Sequence, residues 1–587
     1  MRLLQVRVLL VSVVFCCSSP VFAAFFPLEN LKPGLEGYAL TAGAGNVLFK
    51  FPVKVESVVQ EGIDSPRILI RASGAFIEST GGIAAGMSGS PVYFKNQLAG
   101  AISAGFPNAD HNLGLVTPIE IMTKAAPTPV TGLMSKSWSY AQHTFGYSQV
   151  STPVMGTLEY YGLEPSLSFL PGRPVPLAAP LTLQGLSGRA GTKLLEDFRA
   201  KGVNMTALPV QAGPVQSSAS GAAKALDRPY KLEAGAPISV QLISGDFMVG
   251  AVGTVTLVEG KNILAFGHPF LNDARARYAA APAYVNAIIP ASDIPFKLAE
   301  SINKPFGAIT TDRPYAVGGT VGADPQLLPL EITVRGQSSV TNASSGANPS
   351  RTFKLGLAPV EAFTGVLAYA SALSALDATL EGSQPGSATI QLAMTFKDQA
   401  GADKTVTFKD RIADENDIST LAAQRAAGAV ALVAENPFKA PGLQRLKLTL
   451  ELAPYNLMRL VKAEPEIKKV KPGQTVGVNV RLQPWRAPVV VRRISVKIPS
   501  DASEGEYILK VRGGLTPRPD SANSSNDPWD GLLGFDDLLE RLRNRISGDN
   551  VLIETNDDDP SLLEVEAVGV PVSGLLSVKF TVIGTKP

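Results

Sequence analysis

Gly86-Met87-Ser88-Gly89-Ser90-Pro91-Val92-Tyr93 is the stretch on which the reading of this chain turns. It lies between two apolar runs, Arg67 to Ile70 before it and Leu98 to Ile102 after it. A serine that follows Gly-Met and precedes glycine sits on a sharp turn, because glycine accepts backbone angles that a Cβ forbids. Such a turn pushes the hydroxyl outward. It also aims the N–H groups of Gly86 and Ser88 at one point, where a developing oxyanion would be held. That is the need of an acyl-transfer nucleophile, and Ser88 is the candidate. The plain alternative is a glycine-serine hairpin turn with no chemistry.

The surroundings favour the nucleophile. Val92-Tyr93-Phe94 reads as a strand, Lys95-Asn96-Gln97 as a polar turn, and Leu98 to Ser103 as a second strand. A loop then leads to Gly114-Leu115-Val116-Thr117-Pro118-Ile119. This order resembles the nucleophile barrel of chymotrypsin-like serine proteases. More narrowly, Thr80-Gly81-Gly82-Ile83 followed by Gly86 to Pro91 is similar to the SpoIVB-type serine peptidase family, known from sporulation signalling. The resemblance covers residues 35–125 and a second patch near 236–325. It implies a protein substrate cut at few sites as a signalling or processing step.

Composition narrows the function classes. The 587 residues are too many for one core, so about three to four domains are expected. With 18% charged residues and a net charge of +2 there is no electrostatic footprint for nucleic acid. Glycine (54) and proline (45) suit many short strands and turns. Residues 1–23 read as a secretory signal: Arg2 and Arg7, an apolar core from Val8 to Cys17, and the small-residue site Val21-Phe22-Ala23. The alternative is a retained membrane anchor. Both cysteines, Cys16 and Cys17, lie in that signal, so the mature chain has no disulfide, no thiolate metal site and no cysteine nucleophile. No later run reaches about 18 uninterrupted apolar residues, so a soluble mature protein is expected, in the periplasm or outside the cell.

Residues 24–125 are expected to form a small antiparallel β-barrel. Residues 126–235 read as a connector, with a Ser/Ala/Gly-rich part from Gln211 to Ala223, one short helix from Leu194 to Lys201, and a surface histidine, His143. Residues 236–340 turn to strands again and form a second expected barrel. There Asn262-Ile263-Leu264-Ala265-Phe266 runs into Gly267-His268-Pro269. A histidine at the end of a buried strand is held firmly and still reaches a cleft. The plain alternative is a satisfied core histidine. This patch resembles the histidine site of the SpoIVB-type family, which implies that His268 is the general base. The histidine of that family precedes its serine, whereas here Ser88 comes first, so the two barrels stand in permuted order. Triads are recognised by geometry and role, so the order does not exclude the chemistry. It does require the barrels to dock.

The third member is the least marked. The family's acidic position is occupied here by Ser73, and Glu78 nearby would sit differently. Asp312 is the chosen replacement, in the role of orienting the imidazole, with Asp273 and Asp246 behind it. His111, in the loop after the serine hairpin, is the alternative base.

Residues 341–460 are expected to be an α+β accessory domain with helices at Val360 to Leu376 and Ile418 to Val433, the second capped by Asn416-Asp417. Residues 461–514 read as an immunoglobulin-like β-sandwich. Residues 515–587 read as a polar loop from Asp520 to Asp530, a short amphipathic helix from Asp536 to Arg545, and terminal strands. Asp557-Asp558-Asp559 lacks the alternating ligands and glycine of a calcium loop and reads as a solvated turn. No metal or cofactor is expected. The whole is a mainly β protein with two chymotrypsin-like barrels. The expected function is an exported serine endopeptidase acting on a protein or peptide. The rival is an inactive protease-like scaffold that holds an envelope partner through the C-terminal β-domains.

Overall fold

Strand alternation builds the first barrel. In Phe51-Pro52-Val53-Lys54-Val55-Glu56, the odd-numbered side chains are buried and the even-numbered ones exposed. That is the period of a half-buried strand. The computed structural model describes residues 25–60, 66–125, 175–177, 179–203, 230–302, 304–336, 350–380, 382–398, 400–517, 529–556 and 561–584. The signal segment 1–23, His143, the stretch Gln211 to Ala223 and Asp557 to Asp559 lie outside the described residues.

The strands of the first barrel are β1 (Glu36–Ala44), β2 (Val47–Gln60), β3 (Pro66–Ala72), β4 (Pro91–Phe94), β5 (Gln97–Gly105) and β6 (Leu113–Pro118). They pair in the order β4-β1-β2-β3-β6-β5, and β4 pairs β5 to close the ring. Helix α1 (Ala75–Thr80) crosses from β3 towards the serine stretch, and α2 (Ile119–Met122) follows β6. Phe51, Val53, Ile68, Ile70, Met87, Val92 and Val116 fill the interior.

Within the expected connector lie two short strands and a helix. β7 (Val175–Pro176) pairs β5, and β8 (Leu181–Gln184) pairs a strand of the second barrel. Helix α3 (Gly188–Ala200) follows, beginning nearly two turns before the Leu194 start that the sequence suggests, with Ser187 capping its N-terminus.

The second barrel is formed by β9 (Pro237–Gly245), β10 (Met248–Glu259), β11 (Asn262–Ala265), β12 (Tyr278–Ile289), β14 (Gly307–Arg313) and β15 (Ala316–Val321). It too closes: β9 pairs β10 and β12, β12 pairs β14, β14 pairs β15, β15 pairs β11, and β11 pairs β10. β13 (Phe296–Ser301) extends β12 beyond the ring.

The sheet does not stop at residue 340. β9 continues into β17 (Ser350–Leu357), then β16 (Leu328–Gly336), β20 (Leu443–Ala453), β18 (Gly386–Lys397) and β19 (Asp403–Asp414). The boundary expected between barrel and accessory domain is therefore crossed by hydrogen-bonded strands. Two alanine-rich helices, α4 (Glu361–Leu380) and α5 (Ile418–Ala434), pack with this extension. They approach closely because a Cβ at Gly365 would stand 2.6 Å from the Cβ of Ala431. The Asp417 side chain accepts from the Thr420 N–H, as the cap reading expects. By length and composition α4 could cross a membrane, but 83% of its apolar window is buried inside this fold.

The last unit is a two-sheet sandwich. One sheet holds β21 (Met458–Pro465), β23 (Thr475–Pro484), β24 (Val490–Lys497) and β28 (Val572–Ser573). The other holds β22 (Lys469–Val470), β25 (Gly505–Gly513), β26 (Asn550–Thr555), β27 (Leu562–Ala567) and β29 (Leu575–Val582). Residues 461–514 do not make this sandwich alone, since four of its strands come from beyond residue 514. Helix α6 (Phe535–Arg543) leaves the sandwich and buries Phe535, Leu538, Leu539 and Leu542 in the core beneath β19 and α5.

Candidate active site

The serine loop lies between the two barrels and is pinned by both. Gly86 (φ +87°) and Gly89 (φ +91°) adopt the left-handed backbone the sequence asked of them. A Cβ at Gly89 would stand 2.0 Å from the Thr254 carbonyl oxygen and 2.5 Å from the Phe266 nitrogen, so only glycine admits this contact. The Gly89 N–H donates to Ile102 O on β5 at 2.7 Å. From β10, the Thr254 N–H donates to Ser88 O at 2.8 Å, and the hydroxyls of Thr254 and Thr256 donate to Gly86 O at 3.0 Å and Gly89 O at 2.8 Å. From β13, the Lys297 N–H donates to Ala85 O at 2.9 Å.

With these carbonyls engaged, two donors are left over. Among the described residues, nothing accepts from the N–H of Gly86 or of Ser88. These are the two groups the turn geometry nominates for an oxyanion. Ser88 Oγ has no hydrogen-bond partner either, and the residue is 0% exposed.

His268 follows a strained turn. Phe266 carries φ +71°, a conformation that a bulky side chain rarely adopts, and Gly267 repeats it. Here the turn is wedged against the first barrel: a Cβ at Gly267 would stand 3.1 Å from Ser103 Cβ and 3.2 Å from Ile102 O. Thr117 on β6 donates its hydroxyl to Gly267 O at 2.6 Å, and Arg67 donates to the same hydroxyl. Ile102 O thus receives Gly89 of the serine loop and also touches the histidine turn. The neighbours of the two sequence-nominated residues, Gly89 after Ser88 and Gly267 before His268, meet at Ile102 O on β5.

His268 is 6% exposed. Its Nδ1 lies 2.7 Å from Pro269 O. A carbonyl only accepts, so Nδ1 carries the proton and Nε2 holds the lone pair, the tautomer a general base needs. Among the described residues Nε2 has no hydrogen-bond partner, Ser88 Oγ included. Burial pushes the imidazole down to about 4, against the pull of the Pro269 and Leu177 backbone, with the charge of Arg67 acting in the same direction as burial. It is therefore neutral at pH 7.

Asp312 does not reach the ring. Its Oδ1 accepts from the Phe270 N–H at 2.8 Å, its Oδ2 accepts from the Leu271 N–H at 2.6 Å, and the Tyr278 hydroxyl lies 3.5 Å away. The expected role of orienting the imidazole is corrected: Asp312 holds the loop just after His268, and a backbone carbonyl sets the tautomer instead. The carboxyl is fully buried, which raises it to about 7 although backbone N–H groups at Phe270, Leu271 and Asp273 pull it down.

The other candidates fall elsewhere. Asp273 is spent on its own turn, accepting from Arg275 N–H, and Asp246 accepts from Lys354 N–H at the β9–β17 edge. His111 packs against Gly82 and its backbone accepts from Ile83 N–H; its buried Nε2 has no partner among the described residues. Lys297, which no sequence signal singled out, enters the site from β13 and is 0% exposed.

Two closed antiparallel barrels with the Gly86-Met87-Ser88-Gly89 loop at their junction are the two-barrel architecture expected of a chymotrypsin-like chain. The sequence model of the family described as SpoIVB peptidase S55 matches residues 30–123. Over that span, which contains Ser88 and not His268, the chain is similar to the SpoIVB-type serine peptidases. No curated protein and no solved structure matches the chain.

Proposed function

We propose that this chain is an exported serine endopeptidase that cuts a protein or peptide substrate by acyl-enzyme chemistry, in limited proteolysis for signalling or processing. The observation that carries the reading is the pair of unengaged N–H groups at Gly86 and Ser88, in a loop whose carbonyls are held down. Ser88 Oγ attacks the scissile carbonyl and His268 Nε2 takes its proton. The oxyanion sits between the two N–H groups. Collapse expels the amine, which leaves with the proton from His268, and water then hydrolyses the ester by the same base. Export rests on the signal-like residues 1–23, and a mature N-terminus at Ala24 would support it.

A fluorophosphonate tests the chemistry. The full chain is expected to form a covalent adduct on Ser88, and Ser88→Ala to form none. An adduct that persists in Ser88→Ala would overturn the assignment. The zero exposure of Ser88 and the lack of a hydrogen bond between its hydroxyl and His268 Nε2 support a second reading, an inactive scaffold that binds an envelope partner through the C-terminal sandwich. Silence of the wild-type chain towards the probe favours that scaffold.

A further inference from the structure

Lys297 is a buried lysine whose amine, among the described residues, meets no carboxylate. Its Nζ donates to Thr41 Oγ1 on β1 at 2.8 Å and to Thr254 Oγ1 on β10 at 3.3 Å. Its stem lies along the serine loop, since a Cβ at Gly86 would stand 3.1 Å from Lys297 Cβ and 3.2 Å from its Cδ. Burying a cation without a counter-charge is costly, so such a residue needs a reason to be there.

The hydrogen bonds supply one. The start of β13 and the residue before it grip the peptide groups on both sides of Ala85: Ala85 N–H donates to Pro295 O at 2.7 Å, and Lys297 N–H donates to Ala85 O at 2.9 Å. In a trans peptide the N–H points opposite to the carbonyl. Fixing Ala85 O towards β13 therefore turns the Gly86 N–H away from it. The amine then acts on the far side of Gly86. Thr254 Oγ1 donates to Gly86 O, so it is left to accept from Lys297 Nζ. The amine, the threonine hydroxyl and the Gly86 carbonyl form one directed chain. Two acceptors, Thr41 and Thr254, match the two N–H groups of a neutral amine, and burial lowers this amine to about 7.

We propose that Lys297 is a positioning residue for acyl transfer at Ser88, reaching across from the histidine-bearing barrel to set the direction of the Gly86 oxyanion donor through the Ala85 and Gly86 carbonyls. It rests on the peptidase reading above. It also explains how barrel docking is coupled to the chemistry: the oxyanion site is shaped only when β13 lies against the serine loop.

The test is the kinetics of Ser88 modification by a fluorophosphonate in the full chain, because negative charge develops on the phosphonyl oxygen as Ser88 Oγ attacks phosphorus and fluoride leaves. Lys297→Met keeps the stem and the backbone bond and removes the amine. Thr254→Val removes the hydroxyl link, and Thr254→Ser restores it. The expected result is a maximal labelling rate at least about tenfold lower in Lys297→Met and Thr254→Val, an unchanged half-saturating probe concentration, and recovery in Thr254→Ser. A merely structural lysine would lower the melting temperature and leave the rate of the folded protein alone. Wild-type labelling with rates unchanged in the folded variants overturns this role and leaves the peptidase reading standing. If Lys297→Met does not fold, the Thr254 pair decides alone. No adduct on wild-type Ser88 removes the peptidase reading and this role together.

Discussion

The backbone N–H of Thr254 donates to the carbonyl of Ser88 at 2.8 Å, joining the centre of the serine loop to a strand of the other barrel. The loop's shape is thus a property of the docked pair of barrels rather than of the first barrel alone. Gly89 makes this possible, because its missing Cβ is where the Thr254 carbonyl and Phe266 nitrogen lie. Gly89→Ala is expected to destabilise the full chain by at least about 2 kcal/mol, from left-handed strain plus a backbone clash that no rotamer relieves. Urea unfolding measures it. A variant as stable as the wild type would mean that the barrels do not meet at this contact.

Asp312 and His268 give a second expectation. A carboxylate that orients the catalytic imidazole is worth about 10⁴-fold in rate. Asp312 instead accepts from Phe270 and Leu271 N–H, two bonds that Asn can only partly replace. Asp312→Asn is expected to lower stability by about 1–3 kcal/mol and to slow Ser88 phosphonylation by less than about 100-fold. A loss near four powers of ten with the fold intact would restore the orienting role.

What could be read from the chain follows a physical line. Local signals were legible: the glycine pattern around Ser88, the strand-then-glycine entry to His268, the Asp417 cap, and the apolar alternation of β2 and β23. Long-range pairing was not. β16 and β20 run parallel and join Leu330 to Leu446. Nothing in either strand's own alternation names its partner. The same holds for Met458 and Val572, which complete the sandwich from opposite ends of the C-terminal region. Lys297 was hidden for a different reason. In β13 the inward positions are Lys297, Ala299 and Ser301, while Phe296 and Leu298 lie on the other, half-buried face. Alternation read from hydropathy would place that lysine in water.

Lys297 also makes stability depend on pH in a stated direction. Burial lowers its amine to about 7, whereas in the unfolded chain it titrates near about 10.4. Between those values the unfolded state binds the extra proton, so the folded state gains as pH rises from about 7 towards about 10. Below pH 7 both states are protonated and this gain is absent. Urea midpoints for wild type and Lys297→Met are expected to diverge across that window, the wild type gaining up to roughly 4 kcal/mol relative to the variant. Parallel pH curves would show that the amine is not held neutral between Thr41 and Thr254.

The histidine turn offers the last check. Thr117 Oγ1 donates to Gly267 O at 2.6 Å, and Arg67 donates to that same hydroxyl. Thr117→Val keeps the shape and leaves both the buried carbonyl and one guanidinium N–H without this partner. The cost expected from such orphaned groups is about 1–3 kcal/mol in urea unfolding. Because Phe266 and Gly267 both sit at positive φ, the turn stores strain that this bond helps to hold. Freed, it is expected to relax and carry His268 away from β5, so phosphonylation of Ser88 should slow by more than the stability change alone would give. Unchanged labelling in a Thr117→Val chain that has lost stability would separate the two, showing that β5 contacts at Ser103 and Ile102 hold the imidazole without help from the hydroxyl.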